Sequence, residues 1–284
     1  MNVLIIGASG MLGNAMFRTF AADARFSVTG TVRNISSRRW FEESLQERIL
    51  PGVEVEQADS LAAAFRAVKP ALVINCVGVV KQLAAADDPL ITLPINALLP
   101  HRLAALCDIA GARLVQISTD CVFSGAKGGY VESDFPDADD LYGRSKLLGE
   151  VDYPHAITLR TSIIGHELGG ARSLVNWFLA QQGPVKGFTK AIFSGLPTVV
   201  LAELVRDVIV ARPELHGLYH VAAAPIAKYD LLQLVAEVYG KQIDIVPSDA
   251  LVIDRSLDAG RFHAATGYTA PAWPALIARM RQFH

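Results

Sequence analysis

An apolar run, Val3-Leu-Ile-Ile6, passes directly into Gly7-Ala-Ser-Gly10-Met-Leu-Gly13. This junction restricts what the chain can fold into more than any other stretch. An apolar run without polar alternation reads as a strand buried on both faces, which is the rule in parallel sheets covered by helices. The glycines predict a tight turn, then a backbone open to close approach, then tight packing of helix on strand. Leu12 to Ala22 has helical spacing. A helix starting there offers free N–H groups and the positive end of its dipole, a cradle for a pyrophosphate. The spacing Gly-x-x-Gly-x-x-Gly is slightly longer at the front than the common dinucleotide fingerprint. Gly7, Ser9, Gly10, Met11 and Leu12 are therefore candidate cofactor contacts.

The same alternation continues to residue 160. Strands are expected at Ser27–Val32, Val53–Val55, Ala71–Asn75, Arg113–Ser118 and Ala156–Arg160. Helices are expected at Leu61–Val68, stopped by Pro70, at Pro94–Ala110, ended by Gly111, and at Leu141–Glu150. Strands alternating with helices imply an α/β fold of the doubly wound Rossmann type, with its ligand at the carboxyl ends of the strands. Beyond Arg160 the pattern loosens: 165–170 is loop-like, Ser173–Gln181 an amphipathic helix, and 182–197 Gly-rich with two Phe. Val199–Val210 reads as helix and Leu218–Ala222 as a strand returning to the main sheet. Leu231–Tyr239 (helix), Gln242–Val246 (strand) and an irregular tail with Trp273 follow. The expected organisation is a dinucleotide-binding domain of 1–160 plus 196–225, with a smaller α/β substrate lobe of 161–195 plus 226–284.

Composition narrows the partners. The 284 residues are 51% hydrophobic and 19% charged, enough to fill a large α/β core. With 26 basic against 28 acidic residues, no basic field exists to hold nucleic acid, and Arg38-Arg39 reads as a solvated doublet. Cys76, Cys107 and Cys121 lack C-x-x-C spacing, which argues against a disulfide framework or a zinc knuckle and for a reducing cytoplasm. No metal site is expected, since the histidines, His216 and His220 included, show no ligand spacing. The first strand starts too early for a signal peptide. The longest apolar stretch, Ala71 to Val80, is broken by Asn75 and short of the ~20 residues of a membrane span, so no membrane partner is expected.

At the end of the second strand, where an acidic residue would grip ribose hydroxyls, the chain carries Arg33. Arginine pairs with a 2′-phosphate, so NADPH is the expected cofactor, with NADH as the alternative. Asp59 either faces the adenine or caps the helix at Leu61. Ser60, Cys76, Val77 and Gly78 complete the candidate cofactor contacts.

Tyr142-Gly-Arg-Ser-Lys146 places a phenol and an amine four residues apart on one helix face. A phenol titrates near ~10, and an adjacent ammonium favours its ionised form, so Tyr142 can give a proton to a carbonyl oxygen as hydride reaches the carbon. Lys146 can also hold the nicotinamide ribose. Ser118-Thr119-Asp120 ends the fifth strand beside the expected cleft. Thr119 is favoured to hydrogen-bond the substrate carbonyl and Ser118 to face the cofactor; the two can exchange roles.

These segments, with Ser118-Thr-Asp-Cys-Val-Phe-Ser-Gly125, Arg160-Thr-Ser162, Ser194-Gly-Leu-Pro-Thr198 and Arg255-Ser-Leu-Asp258, resemble the extended short-chain dehydrogenase/reductases. Within these the chain is most similar to the dTDP-4-dehydrorhamnose reductase group. The resemblance implies reduction of the 4-keto group of a nucleotide-linked deoxysugar with NADPH or NADH, and Thr119, Tyr142 and Lys146 as catalytic. It also implies that Asn96 supports the active site, and relatives often dimerise, so a homodimer is open. Cys121 stands where the family usually has tyrosine; it reads as a small buried residue, not a nucleophile. Lys81 either meets a substrate phosphate or lies on the surface. Trp177 and Lys190, with Phe188 and Phe193 nearby, suit a nucleotide base and its phosphates, and Arg255 is a weaker candidate for the same diphosphate. Epimerisation by the same fold and a non-catalytic, dinucleotide-binding regulatory subunit are the competing functions.

Overall fold

The computed structural model describes residues 1–80 and 84–284, and Lys81 lies outside the described residues. Its elements run β1 (Asn2–Ile6), α1 (Met11–Ala21), β2 (Ser27–Thr31), α2 (Glu43–Gln46), β3 (Ile49–Leu50), α3 (Ala58–Val68), β4 (Leu72–Asn75), α4 (Pro89–Thr92), α5 (Leu99–Ala110), β5 (Arg113–Thr119), α6 (Leu141–Leu148) and β6 (Ala156–Thr161). There follow β7 (Ile163–Ile164), α7 (Leu174–Ala180), β8 (Val185–Phe188), β9 (Ala191–Phe193), β10 (Leu196–Pro197), α8 (Thr198–Leu204), β11 (Gly217–His220), β12 (Ile226–Ala227), α9 (Lys228–Tyr239), β13 (Ile245–Ser248), β14 (Ile253–Asp254), α10 (Gly260–Thr266) and α11 (Trp273–Phe283).

Two compact units divide the chain: 1–118 with 139–159 and 202–218, and 119–138 with 160–201 and 219–284. Residues 119–138, which the sequence pattern groups with the dinucleotide-binding domain, thus belong to the second unit.

The first unit is built on a seven-stranded sheet of order β11-β6-β5-β4-β1-β2-β3, to which the ends of β5, β6 and β11 contribute residues of the second unit. The pairings β1–β2, β1–β4, β2–β3 and β4–β5 are parallel. Leu4, Ile6, Val73 and Leu114 form a core with Leu61 and Phe65 of α3 and with Leu99, Leu103 and Cys107 of α5. Strand-borne aliphatics buried beneath helices are what the unbroken apolar runs predict. The third strand, however, is Ile49–Leu50 and not Val53–Val55. Ile49 and Leu50 pair with Gly30 and Thr31, and Pro51-Gly52 ends the run. Downstream, the Val53 N–H still bonds the Val32 carbonyl at 3.2 Å, but the Glu54 N–H is taken by the Ser60 hydroxyl, so the ladder goes no further. Arg38 is not simply solvated either, since its guanidinium donates to the Ile49 carbonyl at 2.8 Å.

The helix expected at Pro94–Ala110 starts earlier. A helical run of 22 residues, Pro89–Ala110, links α4 to α5 through a wide turn at Leu93–Leu98 and is long and apolar enough to cross a membrane by length and composition. Among the described residues it is the one helix of that length and composition. Its inward side, including Leu99, Leu103 and Cys107, packs in the core, while Leu90 and Ile109 are exposed.

The second unit contains the small sheets β12-β9-β14, β13-β8 and β10-β7. The Gly-rich 182–197 segment is therefore three short strands. The strand expected at Gln242–Val246 lies at Ile245–Ser248, where parallel pairing with Val185–Phe188 sets its register. The tail is helical, not irregular: α10 and α11 lie within it, and Trp273, Leu276, Ile277 and Met280 form the buried stripe of α11. Pro274 is tolerated because it sits in the first turn.

Candidate active site

The turn after β1 is shaped by its glycines. Gly7 has φ +86°, and a Cβ there would lie 2.6 Å from Val77 Cγ2, so a side chain is opposed by both strain and space. A Cβ on Gly13 would run into the Gly7 carbonyl, 2.7 Å from its carbon and 3.0 Å from Ala8 Cα. Thr31 holds the turn from β2: its hydroxyl accepts from Gly7 N–H at 3.1 Å and its carbonyl from Ala8 N–H at 2.9 Å. Gly10 is exposed at the N-cap of α1; no side chain caps this helix and no acid lies in its first turn. Ser9 and Met11 are partly exposed beside it, and Leu12 is buried. A backbone cradle with an uncapped helix start fits a pyrophosphate.

Arg33 follows β2 with an exposed side chain, while its carbonyl accepts from Gly52 N–H at 3.1 Å. Asp59 is exposed in the first turn of α3 and does not cap it, because the N-cap is Gln57. Ser60 Oγ is engaged by Glu54 N–H and by the Gly52 carbonyl.

The segment after β4 carries Cys76, Val77 and Gly78, each partly exposed. Asn96 organises it from the wide helical turn: Oδ1 accepts from Val79 N–H at 2.9 Å and Nδ2 donates to the Val79 carbonyl at 3.1 Å. The same Nδ2 donates to Ser145 Oγ at 3.2 Å. Asn96 is 1% exposed, so its amide ties backbone to α6 and does not face solvent.

α6 is capped by Asp140, whose Oδ1 accepts from Gly143 N–H at 2.7 Å. Tyr142 is half-buried on this helix and Lys146 is buried. Lys146 Nζ donates to the Ile117 carbonyl of β5 at 2.8 Å. Burial lowers Lys146 to about 8, opposed by the charge of Glu150. On the same strand the Ser118 hydroxyl donates to Glu150 Oε1 at 2.7 Å. Burial likewise pushes the Cys76 thiol up to about 12.

In the second unit the Thr119 hydroxyl donates to Asp120 Oδ1 at 3.1 Å and accepts from Cys121 N–H at 3.1 Å. Burial raises Asp120, against hydrogen bonds from Cys121 and Thr119 and the charges of Arg255 and Lys228. Arg255 Nε donates to the Phe123 carbonyl at 2.7 Å, which draws it to the segment following Thr119. Burial pushes the Cys121 thiol up to about 12, so it is a poor nucleophile and a poor base. Trp177 is exposed on α7, and Lys190 Nζ lies 3.7 Å from Asp249. Phe193 is buried against Trp273, with ring centroids 5.8 Å apart.

His220 is fully buried between Arg160 and the Tyr130 carbonyl. Among the described residues no cluster of His, Cys, Asp and Glu has the arrangement of a metal site. The residue that sequence reasoning passed over is Glu150. Its signal was present, four positions beyond Lys146, but its partner Ser118 is visible only once β5 and α6 are side by side.

A parallel sheet with a glycine turn at β1 and a Tyr-x-x-x-Lys helix defines a dinucleotide-binding protein of the Rossmann type. The chain belongs more narrowly to the RmlD substrate binding domain family, whose model matches residues 1–258. It is 27% identical over 268 residues to the probable low-salt glycan biosynthesis reductase Agl14 of Haloferax volcanii, covering 90% of this chain and 86% of that protein. The dTDP-4-dehydrorhamnose reductase of Mycobacterium tuberculosis (strain H37Rv) is 31% identical over 171 residues, 56% of this chain and 49% of that enzyme. In fold the chain is similar to the dTDP-4-dehydrorhamnose reductase of Bacillus anthracis in complex with NADP: TM-score 0.80, 19% identity, 99% of this chain and 98% of that one.

Proposed function

We propose that this chain is an NADPH-dependent reductase of a nucleotide-linked 4-keto-deoxysugar. One observation carries the reading. α6 holds Tyr142 and Lys146 one turn apart, with the Lys146 amine bonded to the Ile117 carbonyl, in the unit that contains the β1–α1 phosphate cradle. The relatives named reductases, and a fold like that of an NADP-bound reductase, support it.

The turn at Gly7–Leu12 would hold the pyrophosphate, with Val77, Gly78 and Ser118 along the rest of the dinucleotide. Arg33 would meet a 2′-phosphate with its exposed guanidinium. When bound, the nicotinamide supplies the hydride. Tyr142 gives its proton to the sugar carbonyl oxygen, and the nearby ammonium of Lys146 favours the phenolate left behind. Thr119 aligns the carbonyl by its hydroxyl. Trp177, Lys190 and Arg255 are assigned to the nucleotide part of the substrate, and Lys81 to its phosphate. Dehydration by the same fold, for which related dehydratases carry an acidic residue after Thr-Asp to remove the proton beside the carbonyl, is disfavoured because this chain has Cys121 there, its thiol pushed up to about 12. A cytoplasmic location accords with this reading and with three free cysteines, and a homodimer is part of the same proposal.

The test is to mix the protein with NADPH and a dTDP-4-keto-6-deoxysugar and follow the reduced nicotinamide absorbance. Loss of absorbance that depends on the sugar is expected. Normal NADPH binding with no turnover of any nucleotide keto-sugar would overturn the reading in favour of a regulatory subunit.

A further inference from the structure

Ser118 and Glu150 have no part in the proton transfer described above, yet the structure joins them. Ile117 and Ser118 are consecutive on β5, and Lys146 and Glu150 are one helical turn apart in the chain. The Lys146 ammonium donates to the Ile117 carbonyl at 2.8 Å, and the Ser118 hydroxyl donates to Glu150 Oε1 at 2.7 Å. Glu150 N–H bonds the Leu147 carbonyl at 3.1 Å, which keeps the chain turning past the last residue of α6. Two neighbouring residues of β5 thus fix an ammonium on α6 and a carboxylate just past its end.

Among the described residues, the other groups that meet the amine carry no charge. From β5 it meets a carbonyl. From the segment after β4 come Gly78, whose Cβ would lie 3.9 Å from Nζ, and Cys76. With its thiol pushed up to about 12, Cys76 is neutral at ordinary pH. The same point on Gly78 lies 3.4 Å from Oδ1 of Asn96, a neutral amide. Lys146 is 7% exposed, and a buried ammonium without a counter-charge sheds its proton instead of paying for desolvation. Among the described residues, Glu150 is the carboxylate whose charge favours the ammonium.

We propose that Glu150 is a positioning residue for Lys146: anchored by the Ser118 hydroxyl, its carboxylate is the counter-charge that keeps the buried amine in its ammonium form. The proposal rests on the reductase reading for its catalytic meaning, because the ammonium is what favours the Tyr142 phenolate. Ser118 then contributes through Glu150.

The experiment titrates Lys146 by 1H–13C NMR in full-length protein carrying 13C-labelled lysine, with Lys146→Arg to assign the signal. Glu150→Gln is expected to lower the Lys146 midpoint by about one pH unit. Ser118→Ala leaves the carboxylate in place but unanchored, and should lower the midpoint in the same direction by less. The alkaline limb of kcat/KM should move down with the midpoint in both variants, which a purely structural role would not produce. An unmoved midpoint in folded Glu150→Gln protein overturns the proposal, and an unmoved one in Ser118→Ala removes the anchor from it. Glutamine keeps the shape and an acceptor for Ser118, and Ser118→Ala reaches the same readout by a second route. Since the titration uses neither coenzyme nor sugar, a chain that reduced no keto-sugar would sink the reductase reading and leave this measurement standing.

Discussion

Gly10 and Gly13 belong to one motif, yet the structure predicts that alanine at each fails in a different way. A Cβ on Gly13 overlaps the Gly7 carbonyl and comes within 2.7 Å of its carbon, and the opposing atoms are backbone that cannot rotate away. Relief requires α1 to move off β1, where Ala15, Met16 and Phe17 are buried. Overpacking of this kind costs about 1–3 kcal/mol, and a backbone clash belongs at the upper end. About 3 kcal/mol corresponds to a fall in Tm of roughly 6–12 °C for a chain of this size. At Gly10 the nearest atom to a Cβ is the Gly7 oxygen at 3.5 Å, an ordinary contact, and φ is −77°. Gly10→Ala should therefore cost less than about 1 kcal/mol, the loss from putting alanine at an N-cap. It should still weaken NADPH binding, because the methyl group stands at the exposed start of the helix where the pyrophosphate approaches. Urea denaturation and NADPH fluorescence titration on both variants separate the two effects. Equal stability losses, or a Gly13→Ala midpoint equal to the wild type, would refute the division of the motif into a packing glycine and a binding glycine.

Further outcomes follow from the same geometry. Tyr142→Phe should abolish turnover while NADPH binding persists, measured by absorbance and fluorescence; a fully active variant would remove the proton-donor role. Lys146 holds its proton less tightly folded, at about 8, than its ordinary 10.5. Between those pH values the unfolded chain binds more protons, so stability rises with pH by up to about 3 kcal/mol. Lys146→Met should lose that rise in denaturation curves across the window, and an unchanged slope would contradict the burial argument. Asn96→Ala orphans the Val79 N–H, the Val79 carbonyl and Ser145 Oγ, so about 2–4 kcal/mol of stability should be lost. Urea midpoints equal to the wild type would show those bonds to be idle. Arg33→Asp should move cofactor preference toward NADH, read as a ratio of kcat/KM values; an unchanged ratio would take Arg33 out of cofactor choice.

What the sequence determined by itself was local and periodic. Val3–Ile6, Ala71–Asn75 and Arg113–Ser118 were legible because strands buried on both faces are largely apolar, and Gly7 and Gly13 because only glycine fits that turn. The pairing of Tyr142 with Lys146 needed nothing beyond the helical repeat. The stripe Trp273, Leu276, Ile277 and Met280 was also written in the chain, and two nearby prolines obscured it. Tertiary structure decided whatever depended on partners distant in sequence. Ile49–Leu50 became a strand because Gly30–Thr31 lay open beside it. The segment 182–197 became strands because residues 163–164, 226–227, 245–248 and 253–254 came to pair with it. Asn96 gained its task from Val79 and Ser145, and Ser118 gained Glu150. A backbone hydrogen bond or a buried charge is satisfied by whatever the fold brings near, and one-dimensional spacing carries no record of that neighbour.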